Sequence, residues 1–377
     1  MSTLPSAHSY PGSHARLESI SYARKRMLLE QQTVGASGLA PWVERSWQRC
    51  ISYGLQPSHS AIFTALSIQH MRRTAEGNAH LVHIAKPILE QLGRAIANTR
   101  YFAILTNADG VVVDVSGAID RSDPRADLIT RIGTDLSERS MGTTAISTAL
   151  AEHQPVWLHR GEHFFSTTTH YSCAGAPLIG PDGVCQGMLD VTGIDAMERP
   201  ELKHLVAQTA RKIENALVLA RTHYLTLRLN WPGSPLGSDA DGLLCLDRDG
   251  WIQGANSNAR QMVPLFNLNG TTAVHFSEVL GVPQDLLFDA ARQNRHFLEV
   301  PLWSGLVFHA WATVRQSDDT LQPMVVGSPR HGVLPLKDLE TALIRKAVDE
   351  ARGNIAKAAQ TLGISRATVY RKLARKG

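Results

Sequence analysis

Apolar and polar residues alternate on both sides of Asp109-Gly110 in RYFAILTNADGVVVDVSGAID, residues 100–120, which predicts two strands joined by a tight hairpin. From His170 the theme returns in HYSCAGAPLIGPDGVCQGMLDVTG, with Pro181-Asp182-Gly183 at the turn. Between the hairpins, ERSMGTTAISTALAEHQ has helical spacing, as do LVHIAKPILEQLGRAI and LKHLVAQTARKIENALVLA, so flanking helices are expected over 70–98 and 200–225. Helices packed on a mostly antiparallel sheet make an α+β domain. A third segment, DGLLCLDRDGWIQGANSNARQMV (241–263), predicts strand, Asp249-Gly250 turn, strand and helix, and HFLEVPLWSGLVFHAWATVR (296–315) supplies two closing strands. The Pro, Gly and Ser content of NWPGSPLGSDA (230–240) and SPRHGVLP (328–335) marks both as linkers.

The C-terminal pattern is purely helical. Pro335 begins a helix in which Leu336, Leu339, Leu343 and Ala347 recur at three- and four-residue spacing, ending near Gly353. Asn354 caps a second, short helix that turns Ile355, Ala358, Ala359 and Leu362 inward, and Gly363 supplies a turn. Ser365 caps a third, which completes a helix-turn-helix layout. At about 100° per residue Val369 and Leu373 face the core, so Thr368, Arg371 and Arg375 project outward with Arg366, Tyr370 and Lys372 on the flanks. Arg366 and Arg371 suit guanine edges in the major groove, and Lys372, Arg375 and Lys376 suit phosphates. A solvated amphipathic hairpin would explain the leucines and lysines but not the compact AxxLGIS turn followed at once by this basic face.

Charge separates this end from the rest. From Pro335 onward ten basic residues face four acidic ones, a charge of +6, which leaves −2 for the first 334 residues of a chain whose net charge is +4. At 377 residues the chain suits two or three domains. Residues 1–27 show neither the apolar core nor the cleavage site of a signal peptide and read as a disordered lead-in. No apolar run approaches the roughly 18 residues of a spanning helix, so a cytoplasmic protein without a membrane partner is expected. The four cysteines form no C-x-x-C pair. With the turn at 180–183, Cys173 would face Asp190 and Cys185 would face Leu178, on opposite faces of the sheet, so no disulfide is expected.

NIAKAAQTLGISRATVYRKL resembles the Fis-type helix-turn-helix that ends bacterial enhancer-binding regulators. The resemblance implies that Arg366, Thr368, Arg371 and Lys372 meet DNA, while Tyr370 stands where the nucleoid protein Fis has a basic residue. Asn354, Ser365, Arg366, Thr368, Tyr370, Arg371, Lys372 and Arg375 are therefore the candidate DNA contacts. The stretches SWQRCISYGLQPS (46–58), GTDLSERSMGTTAISTALAEHQPVWLHRGEHFF (133–165) and CAGAPLIGPDGVCQGMLDVTG (173–193) resemble the GAF region of regulators of the acetoin-catabolism-activator family. This chain departs at Leu136, where that family usually has Trp, and at Thr144, where Asn is common; if these positions line the cavity, the effector differs. Residues 241–263 are similar to the opening of a PAS domain. The expected organisation is an N-terminal extension with helices over 1–69, GAF over 70–225, PAS over 238–320 and the Fis-type reader over 335–377.

His159, His163, His170 and Cys173 are of metal-binding types, but their spacing matches no established ligand set, and core packing or cavity lining accounts for them. No phosphate loop, nucleophile elbow, H-E-x-x-H or dinucleotide glycine pattern occurs, so neither catalysis nor a cofactor is expected. Relatives that act with the alternative sigma factor place an AAA+ ATPase before the reading head, and the stretch near 320–335 has no room for one. The reading is a homodimeric transcriptional regulator that binds double-stranded DNA at an inverted repeat and a small molecule in its GAF domain, acting on RNA polymerase or through a separate ATPase regulator. Two alternatives are a non-sensory architectural DNA protein and a thiol-dependent redox enzyme using Cys173 or Cys185.

Overall fold

A computed structural model describes residues 13–30, 38–60, 67–263, 273–293 and 297–315, together with Ile355 and Ala359. The chain divides into two compact units, Met1–Pro323 and Met324–Gly377. Of the second unit, Ile355 and Ala359 are described; both are helical and Ala359 is buried.

The first unit begins with α1 (Ser13–Arg24), α2 (Pro41–Ser52), α3 (Ile68–Gly77) and α4 (Ala79–Ala95). β1 (Tyr101–Asn107) and β2 (Val112–Gly117) form the first predicted hairpin. Its turn is set by Asn107, whose side-chain oxygen accepts from the backbone N–H groups of Asp109 and Val111. Three short helices follow, α5 (Pro124–Ile129), α6 (Glu138–Met141) and α7 (Ala145–Glu152), then β3 (Val156–His159), β4 (Tyr171–Ile179), β5 (Cys185–Ile194) and α8 (Leu202–Ala220). The strands make one antiparallel sheet in the order β2-β1-β5-β4-β3.

Both faces of this sheet are covered, which is why its strands read as nearly continuous apolar runs. On one face α4 lays down Leu81, Ala85, Leu89 and Leu92 at helical spacing beside Val206, Ala210, Ile213 and Leu217 of α8. Gly93 allows the close approach of α4, since a Cβ there would meet the Ser116 hydroxyl and, at 2.9 Å, the Gly117 nitrogen. On the other face lie α6 and α7, and behind them α1 and α2 through Ile20, Ala23, Val43 and Trp47. This is an α+β architecture, an antiparallel sheet with helices on both faces. The expected 70–98 helix breaks at Asn78, whose side chain donates to Thr74 O, and the 138–154 helix breaks at Gly142 (φ 64°). Past that break the Thr144 and Ser147 side chains cap α7 reciprocally.

Two expectations need correction. Residues 13–24 are helical and docked, not part of a disordered lead-in: Ile20 and Ala23 are buried, and the Arg16 guanidinium meets Glu162 at 2.9 Å. The register of β4 and β5 also differs, because the loop runs from Gly180 to Val184 and a bulge lies between Leu178 and Ile179. Cys173 thus faces Thr192, with Leu178 opposite Gly187 and Ile179 opposite Cys185, and all four cysteines are free.

The second sheet contains β6 (Leu225–Asn230), β7 (Gly242–Leu246), β8 (Ile252–Ala255), β9 (Leu298–Pro301) and β10 (Val307–Val314), antiparallel in the order β8-β7-β6-β10-β9. α9 (Ser257–Met262) and α10 (Gln284–Arg292) pack with it around Leu227, Leu244, Phe276, Phe288 and Phe308. The central strand β6 precedes the stretch read as a linker, so residues 230–240 join neighbouring strands of one sheet. Buried Asp241 organises that loop by accepting from Gly237 N at 2.6 Å, Asn230 Nδ2 at 3.1 Å and Ser238 Oγ at 3.2 Å. The β4–β5 turn docks on this second sheet: Pro181 O accepts from Ala255 N (3.0 Å) and from Arg260 Nη2 (2.7 Å). Among the described residues, no helix is long and apolar enough to cross a membrane.

Candidate ligand cavity

Beneath the first sheet, between β1, β4 and β5 above and α5, α6 and α7 below, lies a cavity of about 30 Å3. Ile104, Ile129, Leu136, Met141, Ala145 and Ile146 give it apolar walls, and Thr144, His163, Tyr171, Cys173, Asp190 and Thr192 contribute polar groups. Gly175, opposite Asp190 in the β4–β5 register, brings α7 against the sheet: a Cβ there would stand 2.9 Å from Ala145 O.

The polar wall is a chain of neutral groups. His163 is completely buried, and its Nδ1 lies 3.0 Å from Arg160 O, which accepts its proton. Nε2 is then the acceptor facing Cys173 Sγ at 3.5 Å. Burial holds His163 down to about 4 and pushes the Cys173 thiol well up, so neither is charged near neutral pH. The Thr192 hydroxyl lies against Cys173 Sγ (3.3 Å) and against Asp190 Oδ2, to which it donates. Asp190 is fully buried; desolvation raises its pKa to about 7, against the smaller lowering effect of the Thr192 hydrogen bond. Its other oxygen, Oδ1, is buried and has no hydrogen-bond partner. The Tyr171 hydroxyl is committed to Arg125 O at 3.2 Å.

The segment carrying His163 is clamped by the N-terminal helices. The Arg24 guanidinium donates to Gly161 O (2.8 Å), Phe164 O (3.0 Å) and His163 O, while Trp47 Nε1 donates to Glu162 O at 2.9 Å. The Glu162 carboxylate accepts from Arg16 and, at 2.7 Å, from His159 N.

Of the metal-type residues singled out in the sequence, His163 and Cys173 meet in the cavity and the others lie apart. His159 bonds Ser172 Oγ at 2.7 Å and stacks on Trp157, and His170 is half-exposed beside Asp195. Among the described residues no three His, Cys, Asp or Glu side chains converge on a space for a metal ion. Leu136 and Thr144, the two departures from the family pattern, both line the cavity. Asp190 and Thr192 were not read from the sequence as cavity residues; their signal is an acid in mid-strand within GMLDVTG. Asn354, Ser365, Arg366, Thr368, Tyr370, Arg371, Lys372 and Arg375, the expected DNA contacts, lie outside the described residues.

Residues 20–215, which hold the whole cavity, match the family described as "MimR, N-terminal domain". The chain belongs to the MimR N-terminal-domain family. Residues 335–375 of this MimR-type chain match the family "Bacterial regulatory protein, Fis family". The chain is 32% identical over 263 residues to the acetoin catabolism regulatory protein of Cupriavidus necator, covering 67% of this chain and 38% of that protein. It is 25% identical over 230 residues to the propane 2-monooxygenase operon transcriptional activator MimR of Mycolicibacterium goodii, covering 58% of this chain and 38% of that one. The chain thus spans about two-fifths of the length of these relatives. Among solved structures, the E. coli DhaR(N)–DhaL complex superposes with a TM-score of 0.42 at 15% identity, over 74% of this chain and 100% of that one.

Proposed function

We propose that this chain is a transcriptional regulator whose GAF cavity binds a small molecule and whose Fis-type helix-turn-helix reads double-stranded DNA. The observation that carries the reading is a MimR-type domain holding a small, mainly apolar cavity in the same chain as a Fis-family match. Arg366 and Arg371 contact base edges, while Asn354, Ser365, Thr368, Tyr370, Lys372 and Arg375 position the head on its site. One such head makes few base contacts. A homodimer with heads about 34 Å apart reads an inverted repeat. The second, PAS-like sheet receives the cavity's state through the β4–β5 hairpin, which carries Cys173 and Asp190 at one end and docks Pro181 on Ala255 and Arg260 at the other.

The chain's further partners are RNA polymerase or a separate ATPase regulator, in the cytoplasm, since residues 1–377 contain no phosphate loop. The cavity favours sensing over an architectural role, for which a filled core would suffice. Burial keeps Cys173 a thiol, the less nucleophilic form, which weighs against the redox enzyme.

Footprinting on an enriched operator, with and without a compound that binds the chain, tests this. Ligand should change the footprint of the natural chain and leave that of Leu136→Trp, whose cavity is filled, unchanged. A footprint indifferent to every compound that binds the cavity would remove the sensing half of the reading.

A further inference from the structure

Strands β9 and β10 form a hairpin that is buried on one face and open to solvent on the other toward its tip. Val300, Phe308 and Ala310 belong to the core of the second sheet, so Glu299, Pro301, Val307 and His309 point away from it. Pro301 stands opposite Val307, and Glu299 opposite His309. This outer face and the tip are largely apolar: Trp303 is 71% exposed, Phe297 53%, Leu306 51% and Val307 38%. Taking about 200 Å2 for a whole side chain of this size, these four leave on the order of 400 Å2 of apolar surface in water, the size at which such a patch marks an interaction site.

The two aromatic rings are held in place. Trp303 Nε1 donates to Ser277 O at 2.8 Å, and the Phe297 ring meets the His309 ring edge-on with 4.4 Å between centroids. Side chains already fixed in one arrangement lose little entropy when a partner covers them, and tryptophan is enriched among the anchors of protein interfaces.

We propose that this hairpin is where two copies of the chain meet, face to face about a twofold axis. The proposal rests on the homodimer put forward above and names the surface that forms it. A homodimer interface of ordinary size covers about 800 Å2 on each subunit, about two-thirds of it apolar, and the hairpin supplies most of that apolar share. Residues 297–310 contain two ionisable side chains, Glu299 and His309. In an isologous contact the carboxylate of each copy meets the imidazole of the other, whereas a strongly charged partner would find few counter-charges there. β10 is also the strand by which the chain leaves the second sheet, and residues 316–334, 19 in number, separate it from the Fis-family match that begins at 335. Pairing at the hairpin therefore starts both tethers within about 25 Å of one axis, the length of eight residues of strand.

Sedimentation equilibrium of the full chain without DNA tests this. The natural chain should dimerise, and Trp303→Ser/Leu306→Ser should weaken the dimer about thirtyfold or more with its circular dichroism unchanged. Leu306→Lys keeps Trp303 and its bond to Ser277, covers the case in which the double variant fails to fold, and should weaken the dimer about tenfold or more. In a Cys185→Ser background, nitroxide labels at Ser304→Cys should lie closer to one another across the dimer than labels at His83→Cys on the exposed side of α4. Unchanged affinity in the folded variants, or labels closer at residue 83 than at 304, would overturn the hairpin contact and leave the homodimer standing. A chain that stays monomeric at every concentration would overturn both.

Discussion

Asp190 sits in the middle of β5 within GMLDVTG, and the same residue shows what the sequence revealed and what it concealed. An acid inside an apolar run is visible, but the strand is buried on both faces, so alternation gives no sign of which side chains reach the cavity. His163 and Cys173 were singled out for their chemistry, and the cavity brings them together as neutral, hydrogen-bonded groups. Burial gives Asp190 a folded pKa of about 7 against 3.8 for the free carboxyl. The groups that face it, Thr192, Cys173, His163 and Tyr171, carry no charge near neutral pH to offset this. Between those values the folded chain binds more protons than the unfolded one, so this group's contribution is fully favourable below about pH 4 and is lost as pH rises through 7. Asp190→Asn should remove up to about 1.4 kcal/mol per pH unit of that decline, measured by urea unfolding from pH 4 to 8. An unchanged slope would show that Asp190 is solvated.

Local signals placed most elements and failed where packing decides. The Asp109-Gly110 turn and the helical stripes of α4 and α8 were legible, because turn chemistry and 3.6-residue spacing are written in adjacent residues. The register of β4 on β5 was not, since one extra loop residue and a bulge depend on how the turn docks. Helix α1 was hidden because its apolar face consists of little more than Ile20 and Ala23 and is completed by the body of the first domain. β6 falls almost wholly between the helix expected over 200–225 and the linker expected over 230–240, in a stretch too short for its alternation to stand out. Arg24, which ties α1 to three carbonyls of the His163 segment, gives the element a direct test: Arg24→Ala should cost about 2 kcal/mol in urea unfolding. At the α4–β2 contact, Gly93→Val should cost about 1–3 kcal/mol through overpacking against Ser116 and Gly117. Stability unchanged in either variant would mean that the contact does not form.

Within the first unit, the cavity and the second sheet are joined by one hairpin. The cavity wall continues along the β4–β5 hairpin to Pro181, and Pro181 is held by Ala255 of β8 and Arg260 of α9. Arg260→Ala should leave ligand binding at the cavity unchanged and reduce the footprint's response to ligand; a full response would place the route elsewhere. The expected C-terminal helix-turn-helix agrees with the Fis-family match over residues 335–375, because such a motif is written within a short stretch. The measurement that bears most directly on the central claim is enrichment of pooled genomic DNA fragments by the full chain over a series of salt concentrations, beside Arg366→Ala/Arg371→Ala. The account predicts that the natural chain enriches specific fragments, and that the double variant loses this enrichment while keeping weak, salt-dependent binding. Equal enrichment by both proteins would contradict the assignment of Arg366 and Arg371 as base readers, and enrichment by neither, with or without a cavity ligand, would contradict the DNA-reading role itself.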